Sequence, residues 1–76
     1  MDNISYEIIK HCGIISTDKN GWKKELNLVS WNNRNPKLDV RDWSPGREKM
    51  GKGITLTAEE GSALAALLVK TNNPAM

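Results

Sequence analysis

Two segments in the centre of the chain alternate between aliphatic and polar side chains with a period of two. The aliphatic positions are Leu26 and Leu28 in residues 22–31, and Leu38 and Val40 in residues 37–43. This is the periodicity of a β-strand, in which successive side chains point to opposite sides of the sheet. The pattern therefore predicts two paired strands with one aliphatic face and one polar face.

The flanking segments add two strands and a helix. Residues 4–16 are rich in β-branched side chains and end in the turn cluster 17–21, and Gly13 within them predicts a bulge or bend. The predicted strands span about residues 4–16, 22–32, 37–44 and 53–57, and the predicted helix spans about 58–70. The result is an α+β fold of one domain, residues 1–76, with four antiparallel strands followed by one C-terminal helix (ββββα).

The predicted helix has clear start and stop signals. Thr57 and Glu60 have the spacing of a capping box, and the Asn-Asn-Pro sequence at 72–74 ends the helix. Its apolar stripe consists of Ala63, Leu64, Leu67 and Leu68. We expect this stripe to cover the aliphatic face of the sheet and to leave the polar face open.

The polar face combines indole rings with cationic side chains. Strand parity puts Trp31 and Trp43 on that face together with Lys23, Lys37 and Arg41. Unpaired nucleic acid bases stack on aromatic rings, while lysine and arginine neutralise phosphates. Tryptophans that are half buried at a sheet edge or in an oligomer contact are the alternative interpretation.

Positive charge is concentrated in the middle of the chain. Residues 19–52 hold nine Lys or Arg against four Asp or Glu, although the whole chain has a formal net charge of only +2. This asymmetry indicates an anion-binding surface, with a solvated basic loop region as the alternative.

Length and composition restrict the class of protein. A chain of 76 residues buries only about 60% of the surface that its unfolded form exposes, so a partner subunit is a plausible source of stability. Cys12 is the single cysteine, which rules out an internal disulfide, and no Cys and His set has metal-ligand spacing. We expect no cofactor, no membrane-spanning segment and a cytoplasmic, nucleoid-associated location.

Little in the sequence indicates catalysis. His11 has no accompanying nucleophile, and Asp39, Asp42 and Glu48 are explained as partners of nearby cations. We expect that the protein is not an enzyme.

Three blocks of sequence, residues 21–32, 38–43 and 49–56, carry a resemblance to a known family. Together they resemble the single-stranded-DNA-binding transcriptional coactivator family of the positive cofactor four type, and most of all its small bacterial YdbC-like branch. The resemblance extends from residue 5 to about residue 70. It implies a strongly curved four-stranded sheet, a homodimer built around the helices, and single-stranded DNA in the concave channels.

The resemblance also implies roles for individual residues. The family's strand-two aromatic falls on Trp31, and its third-strand motif falls on Arg41 and Trp43. The lysine before the fourth strand is Lys52, and the basic hairpin tip corresponds to Arg34 and Lys37. With strand parity and local charge, the predicted nucleic-acid-binding set is Lys23, Lys24, Asn27, Trp31, Arg34, Lys37, Arg41, Trp43 and Lys52.

The predicted function is binding of single-stranded DNA with little sequence specificity, serving transcription, replication or repair. Two alternatives remain open from the residues alone. The same surface suits a protein-interaction module that binds a transcription or replication protein, with tryptophan and arginine as hot spots. It also suits single-stranded RNA, because stacking and phosphate contacts do not distinguish the sugar.

Overall fold

The computed structural model describes residues 5–72, which form four strands and one helix. The elements are β1 (Tyr6–Thr17), β2 (Lys23–Trp31), β3 (Lys37–Trp43), β4 (Met50–Leu56) and α1 (Ala58–Thr71), with a 3-10 turn at Pro45–Arg47. The predicted strand start at residue 4 and the predicted proline stop at residue 74 lie outside the described residues.

The four strands form one antiparallel sheet in the order β1-β2-β3-β4. Each strand pairs with its neighbour in the sequence, so every connection is a short turn or loop. The α+β class and the ββββα order predicted from the sequence are confirmed.

Strand β4 begins at Met50, three residues earlier than the pattern predicts. Gly53 pairs with Arg41, and a Cβ atom at Gly53 would collide with the carbonyl oxygen of Val40 and the backbone of Arg41. The glycines therefore permit close strand pairing in a segment that looks like a loop by composition.

Strand β1 is irregular along its length. Its pairing with β2 shifts between Ile8 and Lys10, between His11 and Gly13, and between Ile14 and Ser16. The predicted bulge near Gly13 is confirmed. Repeated bulges bend a strand and increase its twist, so β1 can follow a curved sheet.

The sheet curls tightly toward its polar face. Trp31 pairs with Tyr6 at one end of β2, and Trp43 pairs with Lys23 at the other end, eight positions away. In a straight strand that separation is about 26 Å. The ring of Tyr6 nevertheless lies 5.8 Å from the ring of Trp31 and 5.4 Å from that of Trp43. The polar face is therefore the inside of the curve.

Helix α1 starts at the predicted capping box. The backbone N–H of Glu60 donates to Oγ1 of Thr57 (3.1 Å), and the backbone N–H of Thr57 donates to Oε1 of Glu60 (2.9 Å). The helix comes close to the aliphatic face at Gly61, where a Cβ atom would meet the side chain of Leu38. No helix within residues 5–72 is long and apolar enough to cross a membrane.

Helix α1 lies on the aliphatic face, as expected, but it covers that face only in part. On the described part of the chain the helix makes its main contacts with β3 and β4, and an apolar hollow of about 490 Å³ stays open between helix and sheet. The fully buried hydrophobic side chains among residues 5–72 are Val29 and Trp43, which both lie on the polar face. Curvature is the reason, because it brings the inward side chains together and spreads the outward ones apart.

Candidate nucleic-acid interface

Three aromatic rings gather on the concave side. Tyr6 lies against both tryptophans with its ring tilted by about 45° to each, and 38% of the residue is exposed. Trp31 is half buried. Tilted ring pairs at these separations are favourable, so the three rings support one another as a cluster.

Trp43 occupies the inside of this cluster. Only 1% of the residue is exposed, so its ring offers no open face to a ligand in this structure. The expectation of two open indoles therefore holds for the half-buried Trp31 alone. The curl of the sheet turns Trp43 from a surface ring into a core ring, which strand parity cannot show.

Arg41 is held in place by three groups. Its Nε and Nη2 donate to the two carboxylate oxygens of Asp39 (3.0 Å each), and Nη1 donates to the carbonyl oxygen of Gly51 (3.0 Å). The guanidinium carbon lies 5.1 Å from the ring centroid of Trp31, a cation–π contact. Arg41 thus positions Trp31, and much of its charge is balanced by the buried Asp39.

A second polar cluster surrounds the carboxylate of Glu25, whose side chain is only 5% exposed. Its Oε1 accepts from Nδ2 of Asn27 (3.0 Å) and from Nε of Arg47 (3.1 Å), and Nδ1 of His11 lies 3.6 Å away. Nδ1 of His11 is also 2.7 Å from Oδ1 of Asn27. Asn27 is fully buried, so it supports Glu25 and presents no free amide to solvent.

The cluster keeps Glu25 ionised. Burial by itself raises the pKa of a carboxyl group, but the hydrogen bonds from Asn27 and Arg47 and the charges of Arg47 and His11 lower it. The net effect is that the pKa of Glu25 lies below its ordinary value. Within the described chain, no group of three His, Cys, Asp or Glu is arranged to hold a metal ion.

The hairpin between β2 and β3 presents exposed cations. Asn32 and Asn33 adopt positive φ angles of 51° and 62°, which asparagine tolerates better than most residues, and they reverse the chain. Arg34 follows and is anchored by its backbone, since its N–H donates to the carbonyl oxygen of Trp31 and its carbonyl oxygen accepts from Oγ of Ser30. The side chains of Arg34 and Lys37 are exposed beside the aromatic cluster.

Lys24 and Lys52 lie on the opposite side of the sheet from Trp31. They line a shallow depression with Val40 and Ile54, and Nζ of Lys24 pairs with Oδ1 of Asp42 at 2.7 Å. These two predicted binding residues therefore do not lie on the face that carries Trp31 and Arg41, because alternation gives them the orientation of the aliphatic residues. Their part in nucleic-acid binding stays a prediction.

Sequence reasoning missed three residues of this region: Tyr6, Glu25 and Arg47. Tyr6 lies in the first predicted strand, but the sequence does not show that it pairs with Trp31. Strand parity places Glu25 on the polar face, but no local signal indicates its contact with Arg47, which joins residues 22 positions apart across the loop that follows β3.

An antiparallel curved sheet that carries clustered aromatic rings and a basic hairpin has the general features of a nucleic-acid-binding protein. The family model for the Transcriptional Coactivator p15 (PC4) matches residues 19–67 of this chain. An uncharacterized protein of Treponema pallidum (strain Nichols) is 51% identical over 67 residues, which cover 88% of this chain and 79% of that protein.

The chain belongs to the PC4 family. The resemblance predicted from the sequence is thereby confirmed, while the assignment to a YdbC-like branch stays a prediction. The family suggests single-stranded DNA binding and a transcription-related, coactivator-like role. It is a family of nucleic-acid-binding proteins that interact with transcription factors and are not enzymes.

Proposed function

We propose that this protein binds single-stranded DNA along its concave face, with base stacking at the aromatic cluster and phosphate contacts at the basic hairpin. The observation that carries the proposal is the half-buried Trp31 ring, which contacts the guanidinium of Arg41 and the ring of Tyr6 and is followed in the chain by the exposed cations of the hairpin. A preorganised ring costs little ordering entropy when a base binds.

Stacking is assigned to Trp31 and Tyr6. These two rings retain exposed surface, whereas Trp43 supports Tyr6 from below. Because every base has a π-face, stacking of this kind tolerates any sequence.

Phosphate contacts are assigned to side chains whose charge is accessible. Arg34 and Lys37 are exposed on the hairpin, and Lys23 is part of the polar face. Arg41 is less suited to a direct contact because its donors are largely used by Asp39 and Gly51. Duplex DNA should bind less well, since its bases are already stacked on each other.

Replacing both Arg34 and Lys37 by alanine is expected to weaken binding to all sequences alike. Each phosphate contact to a single strand contributes about 0.7 to the slope of log affinity against log salt, so the slope should fall by about 1.4. Fluorescence anisotropy with a labelled oligonucleotide at several salt concentrations measures this. The matched control replaces Lys19 and Lys70, which lie in the β1–β2 turn and near the end of α1, and should leave the slope unchanged.

Unlabelled competitors then separate the alternatives. Single-stranded DNA should displace the labelled strand more effectively than duplex DNA. Single-stranded RNA of the same sequence shows whether the protein distinguishes ribose from deoxyribose. A parent protein whose complexes do not respond to salt would contradict the proposal and favour a protein-binding surface.

We also propose that the protein is a homodimer joined through α1 and the aliphatic face. Apolar side chains of the helix are strongly exposed, with Leu67 at 60% and Val69 at 72%. The apolar hollow between Leu38 and Leu68 remains open in a chain with a very small core. A second copy would bury these side chains and add the core that 76 residues cannot supply.

Light scattering is expected to give twice the 8.5 kDa mass of one chain. Leu68→Asp should shift the mass toward that of a monomer or unfold the protein, because a charge in the shared core is costly. Glu59→Lys, at the exposed start of the same helix, is the control and should stay dimeric. A monomeric mass for the parent at micromolar concentration would contradict the dimer.

A further inference from the structure

A small polar pocket lies on the concave side, apart from the aromatic cluster. It has a volume of about 250 Å³ and is open to solvent on one side. Its walls come from β1, β2 and the loop after β3, and include His11, Ile14, Lys23, Glu25, Ser44 and Arg47. Because Glu25 pairs directly with Arg41 across β2 and β3, the pocket adjoins the proposed path of the strand.

The pocket combines a buried carboxylate with two cations. The described contacts of the Glu25 carboxylate are all made by Oε1. This oxygen accepts hydrogen bonds from Asn27 and Arg47 and lies close to His11. These contacts orient the carboxylate, and none of them involves its second oxygen, Oε2. Anchoring the loop through Arg47 explains the contacts at Oε1, but it does not explain why the acid lines a cavity on a face that attracts polyanions.

The loop that carries Arg47 is built to hold it in place. Gly46 and Arg47 have φ angles of 70° and 57°, in the left-handed region that arginine seldom adopts. The backbone N–H of Arg47 donates to the carbonyl oxygen of Ser44 (2.8 Å), and Oγ of Ser44 accepts from the N–H of Lys49 (2.6 Å). Arg47 is thus fixed beside Glu25 before any ligand arrives.

The chemistry of this pocket does not suit a phosphate. A phosphate would be attracted by Lys23 and Arg47, but it would lie against the ionised Glu25, and like charges repel strongly at low dielectric constant. The pocket instead suits a neutral, planar group that offers hydrogen-bond donors to a carboxylate and an acceptor to a neighbouring cation.

Among the four DNA bases, guanine has this arrangement. Its Watson–Crick edge places the O6 acceptor next to two donors, the N1–H and the N2 amino group, and an ionised carboxylate only accepts. Adenine and cytosine each offer one amino group next to an acceptor, and thymine offers one N–H between two carbonyls. Ile14 supplies an apolar wall for the face of the base.

We propose that this pocket reads one unpaired guanine, with Oε2 of Glu25 accepting from both N1–H and N2 while Lys23 or Arg47 donates to O6. The inference rests on the proposed single-strand binding and deepens it. One position of the bound strand is read by its edge, while the remaining bases stack without regard to sequence.

The test compares oligo-dT with the same oligonucleotide carrying a single central dG, dA, dC or dI, by anisotropy on the parent protein. One bidentate pair typically discriminates by about tenfold or more, so the dG strand should bind on the order of tenfold more tightly than oligo-dT. Strands with dA or dC should bind like oligo-dT. Inosine lacks the N2 amino group and should fall between dG and dT.

Two results would overturn the inference in distinguishable ways. Measurable binding of oligo-dT with no gain from dG removes the guanine pocket and leaves the proposed function intact. Failure to bind any of these strands removes both.

Glu25→Gln provides the test on the protein side. The ratio of dG to dT affinity should fall to about one, because the donors of Asn27 and Arg47 hold the amide oxygen of Gln at the Oε1 position, and its amide NH2 then faces the donors of guanine. Glu48→Gln removes the same charge from an exposed position of the neighbouring loop and should keep the parent ratio. If Glu25→Gln keeps the dG to dT affinity ratio of the parent protein, the assignment to Glu25 is overturned. If circular dichroism shows that Glu25→Gln is unfolded, the inosine comparison on the parent decides.

Discussion

Trp43→Ala is expected to destabilise the protein by about 3–5 kcal/mol, the usual cost of removing a large buried aromatic ring. The residue is 1% exposed and lies against Tyr6, so truncation leaves a cavity at the centre of the concave side. Small domains have a total free energy of unfolding of about 5–15 kcal/mol, so the variant should be marginally folded.

Urea unfolding followed by circular dichroism measures this difference. Trp43→Phe keeps an aromatic ring and should lose much less stability, while Trp31→Ala removes a half-buried ring and should also lose less. The comparison must be made at one protein concentration, because a dimer's stability depends on it. An unfolding midpoint for Trp43→Ala equal to that of the parent would contradict the core role of this ring.

Trp31→Ala is expected to weaken single-stranded DNA binding by roughly 1–3 kcal/mol, the range measured for loss of one base–aromatic stack. This corresponds to about a 5- to 150-fold rise in Kd. The salt dependence should change little, because the indole carries no charge and releases no counterions. The variant thus separates stacking from phosphate contact.

Trp31→Phe is the matched variant for this prediction. A smaller ring still stacks and still lies over Arg41, so it should recover part of the affinity. Anisotropy at two salt concentrations distinguishes the variants. If Trp31→Ala binds oligonucleotide like the parent, the stacking site has been assigned to the wrong ring.

These two tryptophans are equivalent in the sequence pattern and different in the folded chain. Both fall on the polar side of an alternating strand, and both have a buried indole N–H without a partner among residues 5–72. Trp43 lies at the centre of a small core, whereas Trp31 lies at its edge and is half exposed. A binding assay without a stability measurement would therefore confuse the two roles.

Much of the fold could be predicted from local sequence. Alternation at Leu26 and Leu28 identified β2, and alternation at Leu38 and Val40 identified β3. The Thr57 and Glu60 pair located the start of the helix. Each of these signals acts over a few residues, which is the range that a linear pattern can describe.

The candidate site could be predicted only in part. Trp31 and the hairpin cations Arg34 and Lys37 have the expected placement, because strand parity and turn position decide it. Trp43 and Asn27 share that parity but are buried, since the sheet curls around them. Strand parity predicts on which face of the sheet a side chain lies, but it does not predict how strongly the sheet curves.

The chain by itself determined the order of the strands and helix along the sequence, the start of the helix, the concentration of cations and the family to which the protein belongs. Each depends on neighbouring residues or on aligned blocks of sequence. Only the tertiary structure decided which side of the sheet forms the core and that Arg47 returns to Glu25. Those features arise from the bulges of β1 and the closure of a loop, and they depend on distances between residues far apart in the chain.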